Sequence, residues 1–261
     1  MALRLGTTLI GLPLILISVI LGAPLLVIMV VALAACALWE FYRLFLARLD
    51  ISLFGFSLVW LTAILVNGHF DGVYTLPVVS SGLLATLGLI LFRGYRTDLT
   101  HIFVVSIIGP LYLGLPLSYA LLMRSLENGS EWLLMALLTT FAVDSGAFLV
   151  GKAFGRRSLA PNISPGKTWE GAIGGGLAGV GACVILSLVL GLPLVSWEAV
   201  MIGVTIGFVS QIGDLVESSM KRAVGVKQSG RLLPGHGGVL DRLDSIVFVL
   251  VVLYYFAVWL D

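Results

Sequence analysis

Between residues 5 and 39 not one side chain is charged. A helix crosses the hydrocarbon core of a bilayer with about 20 apolar residues, so this run is too long for a single crossing. Gly22, Ala23 and Pro24 break it, which predicts helices over 7–21 and 24–43. Uncharged runs recur at 51–68, 72–92 and 102–123. Four more apolar segments, 132–151, 170–193, 198–221 and 239–260, carry acids at or inside their ends. Composition agrees: 59% of residues are hydrophobic, 11% are charged, and the mean hydropathy is +1.09. Soluble domains carry about a quarter charged residues. So much apolar surface has to face lipid or other buried helices. The expected fold is an all-α, polytopic integral membrane protein with about nine transmembrane helices. The start, Met1 to Arg4 and then an apolar run, has the form of a signal peptide. No small-residue cleavage site leads from it into a soluble domain, so it reads as a retained first span.

The placement of charge sets the orientation. With nine spans and a cytoplasmic N-terminus, the N-terminus and the loops after spans two, four, six and eight lie inside. Of the 15 Lys and Arg residues, Arg4, Arg43, Arg48, Arg93, Arg96, Lys152, Arg156, Arg157, Lys167, Lys221, Arg222, Lys227, Arg231 and Arg242 fall there or at that edge. Arg124 alone falls outside. Such asymmetry is the positive-inside pattern. The two inside loops nearest the C-terminus hold most of this charge. Residues 1–125 therefore read as a scaffold of about five spans, and 126–261 as a working region of about four spans with two basic cytoplasmic loops. Cys36 and Cys183 both sit in apolar stretches and read as small packing residues.

A charged side chain inside a bilayer costs at least ~2.5 kcal/mol on insertion scales. The sequence nevertheless puts Asp144 in span six, Asp214 and Glu217 in span eight, and Asp241 and Asp244 at the start of span nine. Facing lipid would be intolerable for any of them, so they are expected to converge on a wet cavity. Asp214, Glu217 and Lys221 follow i, i+3, i+7 and share one helical face; Asp241 and Asp244 share another at i, i+3. A structural reading, with ion pairs such as Asp214 to Arg242, is weaker for five acids beside two basic loops than for one. Carboxylates without Cys or His partners are hard ligands, suited to Mg2+ rather than zinc. His236 is the only histidine near them, and His69 and His101 read as solvated or interfacial. A magnesium site beside phosphate donors suggests phosphoryl or nucleotidyl transfer.

The donors come in two loops. In the first, Gly151–Arg157 leads to Ser164-Pro165-Gly166-Lys167-Thr168-Trp169-Glu170-Gly171. Lys167 supplies charge, Ser164 and Thr168 supply hydroxyls, and either hydroxyl can cap the helix that begins near Glu170. The loop is not a P-loop, because Pro161 stands where the spacing needs Gly. The second runs from Lys221 and Arg222 through Lys227, Gln228 and Arg231 to Pro234-Gly235-His236-Gly237-Gly238-Val239-Leu240-Asp241-Arg242-Leu243-Asp244. Gly237 and Gly238 belong to an irregular backbone, which at membrane depth is tolerated only where it lines protein or a water-filled cavity. Glu217, Arg231, Arg242, Gly237 and Gly238 join Ser164, Lys167 and Thr168 as candidate substrate-binding positions. Gly171, Gly175 and Gly179, four residues apart, make a face for close helix packing within or between protomers.

The stretch from Ser219 to Asp244 resembles the signature of phosphatidate cytidylyltransferases (CDP-diacylglycerol synthases). Gly213-Asp214-Leu215-Val216-Glu217-Ser218, Asp144-Ser145-Gly146-Ala147 and Ser164–Gly171 fit the same family. The likeness is close over the C-terminal half and elsewhere amounts to a set of apolar spans. It implies an all-helical membrane enzyme, usually dimeric, that uses Mg2+ and a second, monovalent cation such as K+. Its substrates would be CTP and phosphatidic acid, met in a polar cavity open to the cytoplasm and reachable from membrane lipid. Position by position, the resemblance makes Asp214, Asp241 and Asp244 the metal ligands. It makes Asp144, Lys167, Glu170, Lys221, Arg222, Lys227 and His236 substrate-binding or catalytic positions. Two departures stand out: Gln228 where the family usually has Asp, and Phe148 where it often has Tyr.

The chemistry so implied is direct displacement, with the lipid phosphate attacking the α-phosphorus of CTP and pyrophosphate leaving. No nucleic-acid partner is expected. A compact chain without extra domains fits a bacterial cell (inner) membrane. Two other readings share the same residues: a transporter with the acids as an ion relay, and a catalytically silent family member, for which Gln228 is the clue.

Overall fold

In hydrocarbon, backbone N–H and C=O groups find no water, so an apolar chain satisfies them inside helices. The computed structural model of the protein, which describes residues 2–46, 50–94, 99–230, 232 and 237–260, has that form. Its elements in chain order are α1 (Ala2–Leu21), α2 (Leu25–Phe45), α3 (Ile51–His69), α4 (Thr75–Arg93), α5 (Leu99–Arg124), α6 (Gly129–Phe154), β1 (Ser158–Ala160), β2 (Ser164–Thr168), α7 (Trp169–Val189), α8 (Ser196–Ala223), α9 (Leu240–Leu243) and α10 (Ile246–Leu260). Among the described residues 8 helices are long and apolar enough to cross a membrane, with Leu240–Leu260 counted as one. Ahead of them lies a shorter apolar helix, Gly11–Leu21, within α1. These 8 and the 20-residue α1 stand beside the expectation of about nine spans. Leu76, Phe92 and Leu188 are 79%, 89% and 78% exposed, which suits lipid and not water. The protein is an all-α polytopic membrane protein.

The chain forms two compact units, one of Met1–Ser125 with Gln228–Leu243 and one of Leu126–Lys227 with Asp244–Asp261. In the first, Asp50 caps α3 by accepting from the Ser52 and Leu53 amides at 2.9 and 3.1 Å, and it also pairs with Arg93 at 2.9 Å. Trp60 donates its indole N–H to the Val78 carbonyl at 3.0 Å. Gly82 makes that docking possible, because a Cβ there would run into the Trp60 ring. Trp60, Ile64 and Ile107 form a buried cluster, and the Tyr42 and Ser57 hydroxyls meet at 2.6 Å in the interior.

In the second unit, glycine faces set the packing. A Cβ on Gly171 would stand 2.7 Å from the Ala147 carbonyl oxygen, one on Gly175 2.8 Å from that of Val143, and one on Gly179 2.7 Å from a Val143 methyl. The four-residue spacing is therefore the seam between α7 and α6 inside one chain. Gly203 and Gly207 of α8 meet Val180 and Gly176 of α7 in the same way. Cys183 is fully buried and contacts the Thr139 hydroxyl at 3.4 Å, while Cys36 is exposed; both are free.

Two features depart from the sequence pattern. Residues 158–168 are not plain loop: β1 and β2 pair antiparallel, Ser158 opposite Thr168 and Ala160 opposite Ser164. Outside the apolar pattern the backbone needs partners, and a short ladder supplies them. The helix expected over 239–260 is interrupted at Asp244 and Ser245, where the Ser245 amide bonds the Asp244 carboxylate at 2.8 Å instead of continuing the helical ladder. Asp241 and Asp244 therefore do not share one unbroken helix face.

Candidate active site

The second unit gathers charge on α8 and β2. Asp214 and Glu217 lie one turn apart on α8, and Lys221 follows. Glu217 is fully buried and Lys221 is 8% exposed; the Lys221 ammonium stands 3.3 Å from the Glu217 carboxylate. Asp214 is half-buried and pairs with Lys167 of β2 at 2.7 Å. The Ser218 hydroxyl donates to its other oxygen at 3.3 Å. Asp244 comes in beside them, its carboxyl neighbouring those of Glu217 and Asp214. Gly213 allows this approach. A Cβ there would strike the Asp244 carbonyl, and would stand 2.8 Å from the Phe248 ring. Asp214, Glu217 and Asp244 thus meet Lys167 and Lys221 in one partly buried region of this unit, without Asp144, which is exposed on α6.

The hairpin carries Lys167 to this place. Thr168 caps α7 by accepting from the Gly171 amide at 3.1 Å, which selects Thr168 over Ser164 as the cap. Glu170 accepts the Arg156 and Arg157 amides at 3.1 and 3.3 Å, and the Arg157 carbonyl accepts from the Trp169 amide at 3.0 Å. Arg156, Arg157, Trp169, Glu170 and Ile173 line an open groove of about 510 Å³. The Arg222 guanidinium donates to the Ile163 carbonyl at 3.0 Å and to the Val226 carbonyl at 2.7 Å. Asp144 is exposed on α6, Ser164 is half-buried in β2, and Lys227 is exposed after α8.

In the first unit the segment Gln228–Leu243 builds a second acidic centre. Asp241 accepts from the Gly238 amide at 2.9 Å and from the Ser229 amide at 3.2 Å. Gly237 has a left-handed φ of 86 degrees, and a Cβ there would stand 2.8 Å from the Asp241 carboxylate. Gly237 and Gly238 therefore serve the position of Asp241. Arg242 is exposed. Arg231 and His236 lie outside the described residues.

The sequence reading overlooked Glu40. This acid sits inside α2 and is 2% exposed. It accepts from the Ser229 hydroxyl at 3.1 Å and from the Leu240 amide at 2.9 Å. The signal was available, because a carboxylate within a predicted span is unusual wherever it occurs. Arg156 and Arg157, read as part of the first donor loop, line the open groove.

Among the described residues no three His, Cys, Asp or Glu side chains stand together as a metal site. Mg2+ does not require three, since it is usually held by one or two carboxylates together with waters and substrate phosphates. Asp214 and Asp244 fit that description. They are neighbouring hard oxygen donors.

Over 263 residues the chain is 33% identical to a phosphatidate cytidylyltransferase of Bacillus subtilis, covering 97% of this chain and 96% of that one. It is 41% identical over 142 residues to one from Staphylococcus epidermidis, 54% of each chain. It is 37% identical over 153 residues to one from Mycobacterium bovis, 59% of this chain and 48% of that one. The cytidylyltransferase family model matches residues 2–260, and the chain belongs to that family of CTP-using nucleotidyltransferases.

Proposed function

We propose that the protein is a phosphatidate cytidylyltransferase, which moves CMP from CTP to phosphatidic acid and yields CDP-diacylglycerol and pyrophosphate in phospholipid biosynthesis. What carries this is the likeness to the Bacillus subtilis enzyme along nearly the whole of both chains. The charge cluster of α8 and β2 supports it. In the proposed reaction an oxygen of the lipid phosphate forms a bond to the α-phosphorus of CTP. The bond from that phosphorus to the bridging oxygen breaks, and pyrophosphate departs with the electron pair. The attacking group is already an anion, so no protein nucleophile is needed, and the protein's share is positioning and electrostatics.

Lys167, 2.7 Å from Asp214, is assigned to the phosphates, where it offsets charge that builds on the leaving group. Glu217, fully buried, holds Lys221 in place through their ion pair. Thr168 and Glu170 fix the hairpin end that presents Lys167. When bound, Mg2+ would neutralise triphosphate charge, with Asp214 and Asp244 as its protein ligands. Asp241 is assigned as a further carboxylate that the reaction needs. A cytoplasm-facing site in the cell membrane and a homodimer belong to the same proposal, the former supported by the one-sided cations.

The test is turnover of purified protein in detergent with CTP, phosphatidic acid and Mg2+. Asp214→Asn is expected to lower kcat by about 100- to 1,000-fold, the range for loss of one preorganised electrostatic group. Near-normal turnover of that variant would remove Asp214 from the site.

A further inference from the structure

Glu40 is the one acid in α2, and its whole visible purpose lies outside that helix. Burying a carboxylate is unfavourable unless donors satisfy it, and a scaffold helix has no need of one. Its Oε2 takes the Ser229 hydroxyl at 3.1 Å and the Leu240 amide at 2.9 Å. Those donors come from the two ends of the segment that carries Asp241. Asp241 itself takes the amides of Ser229 and Gly238 at 3.2 and 2.9 Å. Ser229 is thus held twice, by its hydroxyl to Glu40 and by its amide to Asp241. The backbone is moulded to the Glu40 side chain. A Cβ on Gly230 or on Gly238 would collide with the Glu40 carboxylate, so both positions admit only glycine while Glu40 keeps this pose.

We infer that Glu40 is a positioning residue that clamps residues 229 and 238–240, and through them fixes the Asp241 carboxylate. This rests on the proposed cytidylyl transfer only for the role of Asp241; the clamp itself is geometric. Glu40 touches no reacting atom. Its effect is to keep the Asp241 segment from sampling other poses, so its loss falls on kcat more than on the KM for phosphatidic acid.

Two readouts test this. The first needs no substrate: limited trypsin digestion of the full-length protein in detergent, following cleavage after Lys227, an exposed residue beside the clamp. Glu40→Gln and Ser229→Ala are each expected to speed this cleavage about tenfold, the scale of a lost charge-assisted hydrogen bond. The double variant should be little faster than Glu40→Gln alone, since that change already weakens the Ser229 bond together with the Leu240 one. The second readout is kinetic: each variant lowers kcat by a similar factor with KM nearly unchanged, and Glu40→Asp recovers less than half of the loss because its shorter side chain falls short of Leu240. If Glu40→Gln fails to fold, Ser229→Ala, a small change in a loop, carries the test alone. Wild-type cleavage rates in the variants, or single effects that multiply in the double variant, overturn the clamp. Absence of turnover in the wild-type protein would instead fault the assigned reaction, leaving the cleavage result to judge Glu40.

Discussion

At the scale of single residues, the site is a matter of opposite charges kept at short range in a poorly hydrated place. Lys167 and Asp214 at 2.7 Å are the clearest case. Neither is fully buried, so the pair is a weak source of stability. Its value in the proposed reaction is readiness for an anionic substrate. Lys167→Ala is therefore expected to leave thermal unfolding nearly unchanged while lowering turnover by about 100-fold; the two measurements on one preparation separate the roles. Glu217 differs. Fully buried beside Lys221, it is predicted to tolerate Glu217→Gln poorly: breaking a buried charge pair costs about 3–5 kcal/mol, and a large fall in Tm would show it. Most of these residues were legible in the sequence because acids and lysines are rare in apolar segments. Glu40 was equally rare, but it sits in the half of the chain that carries no motif, and a reading guided by clustered charge passed over a single acid.

At the scale of elements, the glycine seam of α7 was visible as a four-residue spacing, and the structure gives it a partner in α6. The difference between seam and surface can be tested within one helix. Gly175→Val would drive a side chain into the Val143 carbonyl and Ala147 of α6, and overpacking of this kind costs about 1–3 kcal/mol. At Gly181 nothing lies within 4 Å of an added Cβ, so Gly181→Ala should keep or slightly raise Tm. Thermal unfolding of both variants in detergent checks the contrast. Thr168→Ala removes the cap of α7 and is expected to cost about 1 kcal/mol. The β1–β2 hairpin was not legible. Its strands are short and show no alternation, and β2 contains Pro and Gly. What fixes them is contact with neighbours: Arg222 bonding the Ile163 carbonyl and Glu170 bonding the amides before β1. The break at Asp244 was hidden for a related reason, since a side-chain bond to the next amide leaves no mark on hydrophobic periodicity.

At the scale of the whole molecule, apolar run lengths were enough to specify an all-α polytopic protein, because in lipid the backbone has few other solutions. The family match over residues 2–260 favours nucleotidyl transfer over an ion relay. The one-sided cations predict a topology. A cysteine introduced at Lys227 should react with a membrane-impermeant reagent only after cells are opened, whereas one at Glu127 should react in intact cells. The most direct test of the proposed activity follows the phosphorus. Purified protein is given phosphatidic acid, Mg2+ and CTP labelled at either the α- or the γ-phosphorus. Cytidylyl transfer predicts α-label in the lipid extract and γ-label in released pyrophosphate, both dependent on phosphatidic acid. Alpha-label that stays in water as CTP or CMP would contradict it.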